Sequence, residues 1–195
     1  MELMKGDFRP RIKRTMLGIV KNAIESPIHL FSPKGLDKWP IQHLVFVCKG
    51  NVCRSVFAEY YLKAITPGQG LRIESRGLEV GKSTASPYEA VLVSMEFGLD
   101  LSAHRSKALA SCDLQSAELI VAMEYGQAAR MKGLAPECKD KICVLRDFAP
   151  FPERLFCNIY DPYGLEEDEF RRCFQQIKRA LDGLRDHLER KSLCS

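Results

Sequence analysis

Val45-Phe46-Val47-Cys48-Lys49-Gly50-Asn51-Val52-Cys53-Arg54-Ser55 is the stretch whose reading decides the fold. Its first residues form a short apolar run, the pattern of a parallel strand buried on both faces. Gly50 and Asn51 follow, two residue types that tolerate positive φ. From Arg54 a helical pattern begins, with Ala58, Tyr61, Leu62 and Ile65 sharing one face. A strand, a tight loop and a helix N-terminus converge backbone N–H groups on one point, and the helix dipole adds positive potential there. The stretch therefore predicts an anion cradle, opened by a cysteine and closed by an arginine, that holds a phosphate over a thiol.

Outward from this stretch, strands and helices alternate. Apolar runs predict strands over 42–47, 71–75, 118–122 and 141–145. Helices are expected over 54–66, 87–97, 124–132 and 166–191, the first stopped by Pro67-Gly68 and the second opened by Ser86-Pro87. The last helix carries Phe170, Phe174, Ile177, Leu181, Leu184 and Leu188 in steps of four and three, a single core-facing stripe. Residues 77–86 and 101–113 read as loops, the latter with a short helical turn, and 146–165 as an irregular, proline-bearing stretch. Alternation of this kind predicts a three-layer α/β fold, a four-stranded parallel sheet flanked by helices. Ligands of such sheets sit at the C-terminal ends of strands, where Cys48 falls.

Residues 1–40 read as a basic N-terminal extension and linker, and 41–195 as the catalytic domain. The net charge of +4 resides in the extension, which holds Lys5, Arg9, Arg11, Lys13, Arg14, Lys21, Lys34 and Lys38 against Glu2, Asp7, Glu25 and Asp37. The body is neutral, so nothing points to nucleic acid. Residues 11–25 predict an amphipathic helix on which Ile12, Met16, Ile19, Val20 and Ala23 share a face. Pro27, Pro33 and Pro40 predict a linker over 26–40, with Trp39 pinning it to the body. The favoured expectation is a helix packed on the domain. The alternative is contact with an anionic membrane surface or an acidic partner.

Eight cysteines in 195 residues do not describe a small disulfide scaffold. The longest early apolar run, residues 16–20, is too short for a secretory leader, and no run approaches a membrane span. A reducing cytoplasm with free thiols is the expectation. His43, Cys48 and Cys53 lack the knuckle spacing of a zinc site, so no metal or other cofactor is expected.

The Cys-x5-Arg spacing occurs twice, at Cys48–Arg54 and at Cys173–Arg179. The second lies inside the final helical pattern, where backbone N–H groups are already engaged, and reads as structural. The first has the preceding strand and following helix that the chemistry needs. Helix N-termini and neighbouring cations favour the thiolate form of cysteine, the form that attacks phosphorus. Arg54 would hold two equatorial oxygens through its planar fork. Attack gives a phosphocysteine, and a second group must protonate the leaving oxygen and then activate water.

Val47 to Ser55, followed far downstream by Asp161-Pro162-Tyr163-Gly164, resembles the low-molecular-weight protein tyrosine phosphatase family. The resemblance runs from about residue 41 to the C-terminus and includes Ser75-Arg76-Gly77 and Asp100-Leu-Ser-Ala-His104. It implies a metal-free phosphomonoesterase acting on a phosphotyrosine-containing protein, in bacteria a tyrosine kinase being one such substrate. It implies Cys48 as nucleophile, Arg54 as phosphate clamp and Asp161 as general acid, with Lys49, Gly50, Asn51, Val52, Cys53 and Ser55 completing the phosphate loop. Asn51, Ser55, Ser75 and His104 match the family's hydrogen-bond network, and Tyr163 matches a wall of its substrate cleft. Cys53 matches a cysteine that can form a reversible disulfide with the nucleophile, so redox control is implied.

The chain also departs from the family. Val56 stands where proline is usual, and the 77–86 loop lacks the aromatic that often faces Tyr163. Two relatives share the cradle. Protein-arginine phosphatases resemble the chain in the short loop but carry threonine where Val52 stands, and an apolar residue there suits an aryl ester. Thiol-dependent arsenate reductases need a cysteine pair after the third strand, where this chain has Ala122-Met123-Glu124. Phosphotyrosine is therefore the expected substrate, with phosphoarginine the alternative.

Overall fold

A computed structural model of the chain describes residues 8–30 and 40–192, with side chains from Gly18 onward in the first segment and as far as Lys191 in the second. Four strands form one wholly parallel sheet in the order β2-β1-β3-β4: β1 His43–Cys48, β2 Arg72–Gly77, β3 Leu119–Ala122 and β4 Ile142–Val144. Each falls within a residue or two of its predicted position. β1 is central and buried along its whole length. Its register sets Cys48 beside Gly77 of β2, and Val47 beside both Arg76 of β2 and Ala122 of β3. Three strand ends thus meet at one edge, and every βα loop after them opens there.

Alternation along β1 divides the core. Leu44 and Phe46 pack into a cluster with Phe57 and Leu62 of α2 (Arg54–Ile65) and with the stripe of α5 (Glu167–Ser192). Val45 and Val47 pack on the other face against Ala128 and Met131 of α4 (Tyr125–Leu134). The α5 stripe is buried throughout, as its spacing predicts. Phe174 stacks on Phe57 with ring centroids 4.0 Å apart, joining α5 to α2. α3 (Tyr88–Met95) packs against α5 on the same side, and a short 3-10 turn at Leu109–Ser111 lies in the loop before β3. Val56, at the third position of α2, is fully buried in this core.

α1 spans Phe8–Leu30 and departs from expectation at its C-terminal end. The predicted linker from residue 26 is helical to Leu30, through Pro27. Pro27 faces solvent, and the last turn is held by the residues on either side of it. Ser26 Oγ accepts the Cys157 amide at 3.2 Å, and His29 Nε2 lies 2.7 Å from Asp147 Oδ1. Earlier, Asn22 Oδ1 accepts the Asn158 amide at 3.1 Å and Glu25 Oε2 accepts Asn158 Nδ2 at 2.8 Å. The helix does pack on the domain, but it does so by its polar face. Ile19, Val20, Ala23, Ile24 and Ile28 are exposed. The apolar face is left outside, because the body beneath α1 is a rim of backbone amides and carboxylates, which an apolar stripe could not satisfy. Trp39 lies outside the described residues, as do 31–38. Among the described residues no helix is long and apolar enough to cross a membrane.

Candidate active site

The loop from Cys48 to Arg54 closes around Asn51, which has φ +53, a left-handed conformation costly for a residue with a side chain. Several hydrogen bonds hold it there. Asn51 Nδ2 donates to Ser55 Oγ at 3.1 Å and to Ser75 Oγ at 2.8 Å, and Asn51 Oδ1 accepts the Lys107 amide at 2.8 Å. The Asn51 carbonyl accepts His104 Nε2 at 3.0 Å, which places the ring proton on Nε2. Burial holds the His104 imidazole below its ordinary pKa, so the ring serves as a neutral donor. Ser75 Oγ in turn donates to Glu59 Oε2 at 2.6 Å. Of this network, Asn51, Ser55, Ser75 and His104 come together as the resemblance implies. Glu59 carries no signal in the sequence, because it reads as an ordinary acid on a helix.

A second constraint comes from Gly77 at the end of β2. A Cβ there would lie 2.9 Å from the Asn51 amide nitrogen and 2.9 Å from the Gly50 carbonyl carbon. No residue larger than glycine fits without moving the cradle. The Leu78 and Glu79 amides then donate to the Cys48 and Lys49 carbonyls at 3.0 and 2.8 Å, stitching the 77–86 loop to the cradle's rim.

Within the cradle the Asn51 amide points at Cys48 Sγ at 3.3 Å, and Ser55 Oγ lies 3.0 Å from the same sulfur. Burial, reinforced by the Asp161 and Cys48 charges, pushes the Cys53 thiol well above the ordinary range. Cys48 and Cys53 carry separate thiols.

Arg54 is almost wholly buried at the start of α2. Its Nη1 donates to Glu124 Oε1 at 2.6 Å and to the Ile159 carbonyl at 2.8 Å, and its Nη2 lies 2.7 Å from Asp161 Oδ2. Burial opposes the charge, but Asp161 and Glu124 outweigh it and hold the guanidinium firmly protonated. Arg54 Nε is buried without a hydrogen-bond partner among the described residues. A buried donor of this kind costs free energy unless a ligand engages it. A phosphate oxygen in the cradle would supply the acceptor.

Asp161 and Tyr163 come from the loop before α5. The Tyr163 amide donates to Asp161 Oδ1 at 3.2 Å, an Asx turn beside Pro162. Asp161, Tyr163 and Tyr160 line the cleft over the cradle, and Val80 is the largest apolar side chain that the 77–86 loop contributes to its lining. Val52 lies on the floor, and Lys49 stands at the rim 3.6 Å from Glu79. Cys173 is buried in α5, and its Arg179 pairs with Glu153 at 2.7 Å. The second Cys-x5-Arg builds no cradle. His43, at the far end of β1 from Cys48, pairs with Glu74 at 3.1 Å.

The wall that sequence reasoning missed is α1. Gly18, Lys21 and Asn22 line the cleft. Lys21 Nζ donates to Glu124 Oε2, the carboxylate whose other oxygen holds Arg54. Arg54 and Lys21 hold Glu124 ionised against its burial, keeping its pKa below the ordinary value. The extension thereby reaches the phosphate clamp through one intervening side chain.

Residues 43–193 match the sequence model of low molecular weight phosphotyrosine protein phosphatases. The low molecular weight protein-tyrosine-phosphatase of Streptomyces coelicolor is 30% identical over 148 residues, covering 71% of this chain and 88% of that one. Low molecular weight protein-tyrosine phosphatase A of Mycobacterium tuberculosis is 30% identical over 156 residues, covering 76% and 93%. Among solved structures, the YwlE arginine phosphatase of Geobacillus stearothermophilus superposes with a TM-score of 0.70 at 28% identity, covering 79% of this chain and 96% of that one. The low molecular weight protein tyrosine phosphatase of T. tengcongensis superposes with 0.68 at 30%, covering 75% and 99%. With its cradle, sheet order and sequence all in agreement, the chain belongs to the low molecular weight phosphotyrosine protein phosphatase family.

Proposed function

We propose that the protein hydrolyses phosphotyrosine monoesters in proteins through a phosphocysteine at Cys48. The observation that carries this reading is the cradle itself: Cys48 Sγ beneath converging donors, with the buried Nε of Arg54 lacking an acceptor. The Cys48 thiolate attacks phosphorus, and the bond from phosphorus to the phenolic oxygen breaks as Asp161 delivers its proton to that oxygen. Water then attacks the phosphocysteine, Asp161 takes the proton, and the P–S bond breaks to release phosphate and restore the thiolate. Arg54 carries the equatorial oxygens through both steps.

The geometry adds a binding step. Asp161 occupies Arg54 Nη2, so an incoming phosphate displaces the carboxylate from the guanidinium, and the freed carboxylate takes up a proton from solvent that it then delivers to the leaving oxygen. Ser55 holds Cys48, and the Asn51, Ser75 and His104 network keeps the loop preorganised. Tyr163 and Tyr160 form the aromatic side of the cleft, and Val52 offers the ring an apolar floor. A bacterial tyrosine kinase is one candidate substrate. The likeness to an arginine phosphatase, together with a 77–86 loop without an aromatic residue, favours phosphoarginine as the second reading.

The test is turnover of aryl phosphate in the presence of a chelator. Cys48→Ser should lower it on the order of 10⁴-fold or more, and a serine variant that kept wild-type turnover would end the proposal. The same preparation given phosphotyrosine and phosphoarginine should prefer phosphotyrosine, and the opposite preference would replace the main reading with the second.

A further inference from the structure

α1 has its polarity turned inside out. Lys21, Asn22, Glu25, Ser26 and His29 face the body, each engaged with a polar group there. The opposite face is exposed and apolar: Ile19 is 61% exposed, Ile24 61% and Ile28 52%. The exposed surface continues beyond the helix through Leu155 and Phe156, which share a shallow groove with Ile19, Ala23 and Leu30. Scattered exposed apolar residues need no explanation, but a contiguous face on an otherwise well-packed domain marks a contact surface. Here the sequence places isoleucine outward on successive turns while spending its polar residues on the docking side. The arrangement is what a helix needs when both of its faces are used.

Charge selects the occupant. Residues 8–17, the preceding turns of the same helix, carry Arg9, Arg11, Lys13 and Arg14 and no acid. A second copy of the chain offers only the same basic segment at an isologous α1 contact, and so no complementary charge from that helix. A lipid surface with anionic headgroups attracts these bases while its acyl boundary takes up the isoleucines, and this pairing of a basic segment with an apolar helix face is the hallmark of helices that lie in the interfacial plane. α1, at 23 residues, is not apolar enough to cross.

We propose that α1 docks the protein on an anionic membrane surface through Ile19, Val20, Ile24 and Ile28, assisted by the bases of residues 8–17. Docked in this way, the protein holds its cleft beside the bilayer, because Gly18, Lys21 and Asn22 on the other face of α1 form a wall of that cleft. Phosphorylated segments close to the membrane are then the substrates presented to Cys48. The inference stands on the helix and not on the phosphatase chemistry, so a Cys48→Ser variant should bind membranes as the wild type does.

The experiment is flotation of the full chain with vesicles of phosphatidylcholine alone and of phosphatidylcholine with phosphatidylserine. Flotation with the anionic vesicles only, weakening as salt is raised, is expected. Ile24→Asp/Ile28→Asp should reduce the bound fraction about tenfold or more while leaving turnover of a soluble aryl phosphate unchanged, which also shows that the variant is folded. Arg9→Gln/Lys13→Gln should weaken binding to anionic vesicles with the apolar face intact. Failure of the wild type to float with anionic vesicles, or flotation untouched by the double aspartate variant, would overturn the proposal. So would a concentration-dependent dimer in sedimentation that the aspartate variant abolishes, since a second copy would then own the face.

Discussion

The phosphate cradle and α1 treat polar groups in opposite ways. In the cradle, polar side chains are buried and answered by partners, with Arg54 Nε the exception among the described residues of the loop. On α1, polar side chains are also turned inward, but onto the rim of another element, and the apolar side chains are left outside. The difference teaches how each region meets its ligand. The cradle is preorganised, so its unsatisfied donor reveals its ligand. α1 is docked by hydrogen bonds and ion pairs, so its unsatisfied apolar area reveals its contact.

The two regions touch at Glu124, held by Arg54 from one side and by Lys21 from the other. That junction orders the measurements that would break or sharpen the contrast. The largest effect belongs to the cradle alone. Asp161→Ala should slow hydrolysis of esters with poor leaving groups by about 10²–10⁴-fold and affect good leaving groups far less. Because Asp161 competes with phosphate for Arg54 Nη2, the same variant should bind inorganic phosphate more tightly. An equal loss on all leaving groups, with unchanged phosphate inhibition, would remove Asp161 from both roles.

A smaller effect is expected at the junction. Lys21→Ala leaves the Glu124 charge to act on Arg54 without its offset, so net positive potential in the cleft falls. The KM for aryl phosphate and the inhibition constant of inorganic phosphate should rise about two- to fivefold at low salt, with kcat little altered. Lys21→Arg should restore both. Unchanged constants at low salt would show that the cradle and α1 work independently.

The smallest effect concerns stability. Burial keeps the folded-state pKa of His104 below that of the unfolded chain, which lies near ~6.5. The unfolded state therefore takes up the proton first as pH falls. The His104 contribution is fully present above about pH 6.5 and declines below it, at a slope no steeper than about 1.4 kcal/mol per pH unit. Denaturant melts from pH 7 to 5 should show this decline, and His104→Gln should flatten it. An unchanged slope would mean that other buried groups govern the acid side.

Much of the cradle is legible because it is local. Strand, turn and helix start are contiguous in residues 45–65, and each element obeys its own periodicity. Asp161 is far away in sequence, and its assignment rests on resemblance to a family motif, since an Asp-Pro pair alone describes a turn. Glu59 and Glu124 were not legible as site residues. Each is a single carboxylate in a helical or loop context, and only the packing of α2 on β2 and the register of β3 bring them to Ser75 and Arg54. α1 was legible as an amphipathic helix, but which face docks was not.

The parallel α/β sheet, the place of Cys48 at its central strand end and the following helix are all readable from the residues, because alternation, apolar runs and glycine positions act over a few residues. That α1 turns its polar face to the cleft and leaves its isoleucines outside follows from the packed fold alone. Helical periodicity defines two faces but assigns neither. The assignment depends on what surface the rest of the chain offers, and here that surface is a rim of backbone amides and carboxylates that only polar side chains can satisfy.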